Sequence, residues 1–293
     1  MNWHGIEFCP DLGNLNIRQM SQSVACELFA VRNPSFEQLI HDRYVEMRDL
    51  KEAPLHDARW DMPGTGCEVI RDKREDARLK VPVECVRPTE PVLQDLFRLS
   101  SFGVDLPIWF APSDGYDHKI MLVAQDPKRI DDSAGNVYLG SPFGAHARAC
   151  VEGRIGRLVF AVIERLLRER CAVYLTDAIK YYALKTGYVE SRLPSACERS
   201  NTFLAQEKDW FPADLIVAFG KASARVLMPQ KMNEMERGFA RAILPRGFRG
   251  EGVESNVLTV LHPSGQARHF LQGLDAETYY ANSIGAALDV RLA

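Results

Sequence analysis

Four short apolar runs in the second half of the chain are each followed by residues able to do chemistry. Gln125-Asp126-Pro127-Lys128 follows Lys119 to Ala124, Asp177-Ala178-Ile179-Lys180 follows Ala172 to Thr176, Gly220-Lys221 follows Leu215 to Phe219, and His262-Pro263-Ser264-Gly265 follows Val257 to Leu261. Two carboxylates and an imidazole are the groups that activate water, or stabilise opposite charges, while a bond to carbon breaks. Lysine and serine at the same edge can hold an anion. Each has a plain structural reading as well: an Asp before Pro is ordinary turn chemistry, and a His before Pro is commonly a packed loop residue. The chemical reading therefore requires that the runs lie side by side.

Their composition predicts that they do. Runs rich in Val, Ile and Leu, bounded by polar residues or by Gly and Pro, read as strands buried on both faces, the habit of a parallel sheet. Helical periodicity lies between them. Val151 to Arg170 puts Val151, Ile155, Leu158, Val162 and Leu166 on one face; Leu193 to Trp210 and Lys221 to Met228 also read as helices. Strand–helix alternation implies an α/β sandwich with right-handed crossovers, whose site lies outside the carboxyl ends of the strands.

Upstream, Thr89-Glu90-Pro91 looks like a helix start leading into Val92 to Leu99, and a further helix begins at Asn33 and Pro34 and runs through Leu50. Between Glu52 and Lys80 the pattern dissolves into Pro, Gly and charge, which predicts a long loop. The expected organisation is an N-terminal extension of helix plus long loop over residues 1–84, and an α/β domain over 85–293.

The chain has 293 residues, a net charge of -3 and 46% hydrophobic residues, which suits an ordinary folded protein and excludes disordered, collagen-like and coiled-coil classes. Residues 1–84 carry a net charge of -4 and the remainder +1. No apolar run approaches the length of about 18 residues needed to span a bilayer, and the first residues lack the pattern of a secretory signal, so a cytoplasmic protein away from membranes is expected. Seven cysteines, none in a Cys-x-x-Cys arrangement, are read as reduced thiols. Glycine spacing for a P-loop or a dinucleotide fingerprint is missing, and neither cofactor nor metal is expected.

Five segments resemble the uracil-DNA glycosylase superfamily. Gln125-Asp126-Pro127 is similar to its water-activating motif, and Gly140-Ser141-Pro142-Phe143-Gly144 to the segment whose aromatic ring stacks on an extruded base. Val173-Tyr174-Leu175-Thr176-Asp177 and Leu215-Ile216-Val217-Ala218-Phe219-Gly220 resemble two of its strands, and His262-Pro263-Ser264 matches its His-Pro-Ser motif. The likeness covers roughly residues 110–290. It implies a three-layer sandwich about a central, mainly parallel four-stranded sheet flanked by helices. It also implies a DNA glycosylase that flips a uracil or other deaminated base out of DNA and hydrolyses its N-glycosidic bond, as in base excision repair.

By this resemblance Asp126 positions water and stabilises the cationic sugar, and His262 donates to the departing base. Gln125, Lys128, Phe143 and Asp177 contact the base, while Arg129, Lys180, Ser264, Gln266 and Arg268 contact DNA, single- or double-stranded, in a local basic groove. A monomer is expected. Departures are specific: Asp177 stands where the family reads the base with Asn, Lys128 where the best-known branch has a thymine-excluding Tyr, and Gln266 where that branch has an intercalating Leu. Of the cysteines that ligate a cluster in some branches, one is matched by Cys197 and another is replaced by Tyr181. Two other readings stay open, a non-catalytic nucleic-acid-binding protein of the same fold and a hydrolase of small N-glycosides.

Overall fold

The computed structural model describes residues 8–9, 11–49, 59–62, 67–71, 79–91, 93–94, 102–125, 127, 136–145, 153–183, 194–229, 248–249, 256–263 and 275–292. The four apolar runs form strands within a residue or so of their expected limits: β8 (His118–Ala124), β10 (Cys171–Asp177), β12 (Leu215–Phe219) and β14 (Val257–Val260). They pair in the order β14-β12-β8-β10, all parallel, with Cys171 opposite His118, Ile216 opposite Met121 and Val217 opposite Leu258. Every residue of β10, β12 and β14 is buried, which explains why apolar residues do not alternate in them. Two antiparallel edge strands widen this sheet to six: β7 (Ile108–Phe110) beside β10, and β13 (Phe248–Arg249) beside β14.

Helices cover both faces. On one side α4 (Arg154–Arg168) packs against β10, with Phe160 edge-on to Phe110, and α7 (Ala276–Leu292) packs against α4, β12 and β14. On the other, α5 (Pro194–Trp210) delivers Glu207 to Tyr174 and Thr176, the β10 residues of opposite parity to those facing α4. α6 (Gly220–Leu227) follows β12 directly. The three-layer sandwich expected from the resemblance is thus present.

The N-terminal region shares this core. α2 (Pro34–Asp49), begun by Asn33 as expected, sends Tyr44 into an aromatic stack on the α5 face. Ring centroids there lie 5.1 Å apart for Phe8–Trp109, 5.9 Å for Tyr44–Trp109, 6.1 Å for Trp109–Tyr174 and 5.3 Å for Tyr174–Phe211. Aromatic pairs at these separations add to the area they bury. The carbonyls of Glu27 and Leu28, in a π-helical turn, accept hydrogen bonds from Arg199 and Tyr181 at 2.7 Å each.

A second sheet departs from the sequence expectation. The described part of the segment read as a long loop forms β3 (Arg59–Met62), β4 (Cys67–Arg71) and β5 (Leu79–Pro82). With β6 (Phe102–Asp105), β9 (Asn136–Gly140) and β11 (Tyr181–Ala183) they make a sheet ordered β11-β6-β9-β5-β4-β3. Leu79 and Val81 are buried while Lys80 is half-exposed, the alternation of a one-sided strand, and charge on strands near an edge guards against unwanted pairing. Pro63-Gly64-Thr65-Gly66 between β3 and β4 was the available turn signal. The cysteine reading also needs correction. Cys9, Cys26 and Cys171 are free thiols, and burial pushes Cys171 up to about 12, but Cys85 is disulfide-bonded. No cysteine stands within a few residues of Cys85 in sequence, so its pairing depends on tertiary structure.

Candidate active site

Because β8, β10, β12 and β14 run parallel, their carboxyl ends lie at one edge. The turn after β10 is tied to the end of β8 by backbone hydrogen bonds, Ala178 N–H to Ala124 O and Ile179 N–H to Gln125 O, both 2.9 Å. Asp177 is thereby set opposite Ala124, with Gln125 the first residue beyond β8. Asp177 is 1% exposed. Asp126, Lys128, Arg129, Ser264, Gln266 and Arg268 lie outside the described residues.

Phe143 and His262 are brought together. Their rings lie 6.0 Å apart at 44°, and Phe143 also stands edge-on to Phe219 at 5.6 Å. The strand that carries Phe143 here, β9, is not one of the four expected runs and belongs to the second sheet. It ends in a 3-10 turn, Pro142–Gly144, in which Phe143 adopts φ 56° and ψ 13°. A left-handed conformation is costly for a residue with a Cβ and persists where surrounding contacts enforce it, commonly at functional sites. Both rings are half-buried, so an aromatic face and an imidazole remain within reach of solvent at the sheet edge.

Two features hold His262. Gly220, at φ +85°, lies so close that a Cβ built on it would stand 3.0 Å from the His262 Cβ. Behind it, α7 grips the preceding residue: Leu261 N–H donates to the Tyr279 hydroxyl at 3.2 Å, and the Tyr280 hydroxyl donates to Leu261 O at 2.7 Å. Burial raises both phenols above their ordinary value, which keeps the hydroxyl protons in place at neutral pH. Sequence reasoning missed these two tyrosines, since they act through backbone far away in the chain. Tyr280→Phe is expected to lower stability by about 1–2 kcal/mol in chemical denaturation, the cost of stranding a buried carbonyl.

Lys180 lies in the interior. Expected at the DNA surface, it is 1% exposed, and its ammonium donates to Thr176 Oγ1 at 2.6 Å and to a Glu207 carboxylate oxygen. Glu207 accepts also from Tyr174 at 3.1 Å and Thr176 at 2.8 Å. Desolvation lowers the Lys180 pKa, and the charges of Glu207 and then Asp177 oppose that shift. The lysine is an interior cation beneath the site and makes no surface contact. Tyr181 lies buried with its hydroxyl on the Leu28 carbonyl, so the position aligned with a cluster ligand offers no thiolate. Among the described residues no group of three His, Cys, Asp or Glu could hold a metal ion, and no helix is long and apolar enough to cross a membrane.

The profile of the Uracil DNA glycosylase superfamily matches residues 112–282. The chain belongs to that superfamily. The matched stretch contains the four parallel strands, the Phe143 turn, His262 and the tyrosines behind it. No curated protein matches the chain. Members of the uracil-DNA glycosylase superfamily are generally hydrolases that act on DNA.

Proposed function

We propose that the chain hydrolyses the N-glycosidic bond of a damaged base held outside the DNA helix. The observation that supports this most directly is the pairing of Phe143 with His262 at the carboxyl edge of the sheet: one offers a stacking face, the other a hydrogen-bond donor. In the reaction the C1′–N bond breaks and its electrons leave with the base, where His262 stabilises the developing negative charge. Asp126, immediately after Gln125, faces the positive charge that grows on the sugar and takes the proton from the water whose oxygen bonds to C1′. Phe143 stacks on the extruded ring, and Gln125 and Lys128 border it. Arg129, Ser264, Gln266 and Arg268 contact the DNA, and the acting species is a monomer in the cytoplasm.

A panel of lesion-containing oligonucleotides tests the reading. The wild type is expected to release a base, and Asp126→Asn to slow that release by about 10²-fold or more. DNA binding without product from any lesion would select a non-catalytic protein, and activity on free nucleosides alone would select a small-molecule hydrolase.

A further inference from the structure

Phe143 and His262 reach the sheet edge from different sheets and from distant parts of the chain, yet one buried side chain links what holds them. Phe219 is the last residue of β12 and is 1% exposed. Its ring meets Phe143 edge-on at 5.6 Å and 88°, and it also meets Tyr280 at 5.9 Å and 68°. Tyr280 in turn donates to the carbonyl of Leu261, the residue before His262, and the His262 ring stands 6.0 Å from Phe143. These contacts close a circuit that runs from Phe143 through Phe219, Tyr280 and Leu261 to His262 and back. A second link is covalent: Gly220, which lies against the His262 Cβ, follows Phe219 directly.

Phe219 is the fixed member of the circuit. It pairs with Val260 of β14, and its carbonyl accepts from Ser223 Oγ of α6 at 3.0 Å. Phe143 is the member that needs fixing, because a φ of 56° is held by surrounding contacts and not by the residue's own preference. Edge-on rings at these separations attract one another in a preferred orientation, so Phe219 sets the plane of the Phe143 ring as well as its place. Groups ordered before a base arrives lose little side-chain freedom when it binds, which is how preorganisation speeds a reaction.

We propose that Phe219 and Tyr280 are positioning residues that hold the Phe143 ring and the His262 imidazole as one rigid unit. The proposal rests on the function given above, in which those two groups meet the extruded base. Without the Phe219 ring, Phe143 and His262 keep their chemistry but reorient relative to each other. The loss then falls on the step that holds and releases the base, while binding of the duplex, dominated by phosphate contacts, is unaffected.

The test has two readouts. In protein without DNA, the imidazole NMR signals of His262 are identified by their loss in His262→Gln. An aromatic ring 6.0 Å away shifts such signals, and Phe143→Leu, at a half-buried position, measures that shift. Phe219→Leu should move the His262 signals in the same direction as Phe143→Leu. Tyr280→Phe, which keeps a ring against Phe219 but releases Leu261, should move them too. Phe36→Leu, likewise buried and edge-on to Phe29 at 5.1 Å, should leave them in place. In single-turnover base release, Phe219→Leu and Tyr280→Phe should be slower than wild type by about tenfold or more at unchanged duplex affinity, and Phe36→Leu should match the wild type. Should Phe219→Leu not fold, Tyr280→Phe decides alone. His262 signals that coincide with the wild type in the folded variants, or release at the Phe36→Leu rate, overturn the positioning role and leave the glycosylase reading intact. Wild-type protein that binds the duplexes and releases no base overturns that reading, and the NMR shifts then decide separately whether the two groups are held together.

Discussion

Lys180→Met is expected to destabilise the protein by about 3–5 kcal/mol, the range found when one partner of a buried ion pair is removed. Methionine fills the volume of the lysine stem, so the loss is electrostatic in origin. It leaves Glu207, which is fully buried, with the Tyr174 and Thr176 hydroxyls but no cation. The pair's neighbours are aromatic: the ammonium lies 5.4 Å from the Phe203 ring centroid, and Tyr174, which donates to Glu207, is stacked between Trp109 and Phe211. Chemical denaturation followed by tryptophan fluorescence measures the loss. The double variant Lys180→Met/Glu207→Leu should regain most of it, because an apolar pair of similar volume commonly matches or exceeds a buried salt bridge in stability. A single-variant loss below about 1 kcal/mol would mean that the pair behaves as an exposed one.

That lysine also marks where the sequence stops being informative. The strands β8, β10, β12 and β14 are legible because each buries both faces, so an unbroken apolar run reports its own environment. The chemistry-bearing residues at their carboxyl ends follow from topology alone. Lys180, three residues beyond a strand, reads as surface because nothing local reveals the carboxylate of α5 that comes to meet it. The N-terminal aromatics have the same character: Phe8 and Tyr44 gain meaning only against Trp109, and the register of that contact is tertiary. Along Glu52 to Lys80 the error has another source. β5 alternates buried Leu79 and Val81 with half-exposed Lys80, and the sequences of β3 and β4 interleave charged with apolar residues, so all three resemble loop to any reading that seeks apolar runs.

Gly220→Ala is expected to slow base release by about 10²-fold while the protein remains folded. Gly220 opens α6 directly after β12, and its bare Cα is what lets the His262 side chain settle against that turn. An added Cβ would stand 3.0 Å from the His262 Cβ and 3.7 Å from its Cα and Cγ, and the nearest of these is well inside the ordinary separation of about 3.5–4.0 Å between carbons. Backbone cannot yield easily on the histidine side, because Tyr279 and Tyr280 hold Leu261 at both N–H and C=O. The imidazole must shift, and a misplacement of about 1 Å in a reacting group can cost 10²-fold in rate. Strain at φ +85° adds about 1–2 kcal/mol of destabilisation for any residue with a Cβ, so stability and catalysis have to be separated. Gly13 provides the comparison: its φ is +61°, and a Cβ there meets nothing within 4 Å. Gly13→Ala should suffer a similar loss of stability and keep the wild-type rate of base release. If the two variants lose stability alike and both retain that rate, the close approach of Gly220 to His262 matters for folding alone, and the imidazole is not the group that meets the departing base.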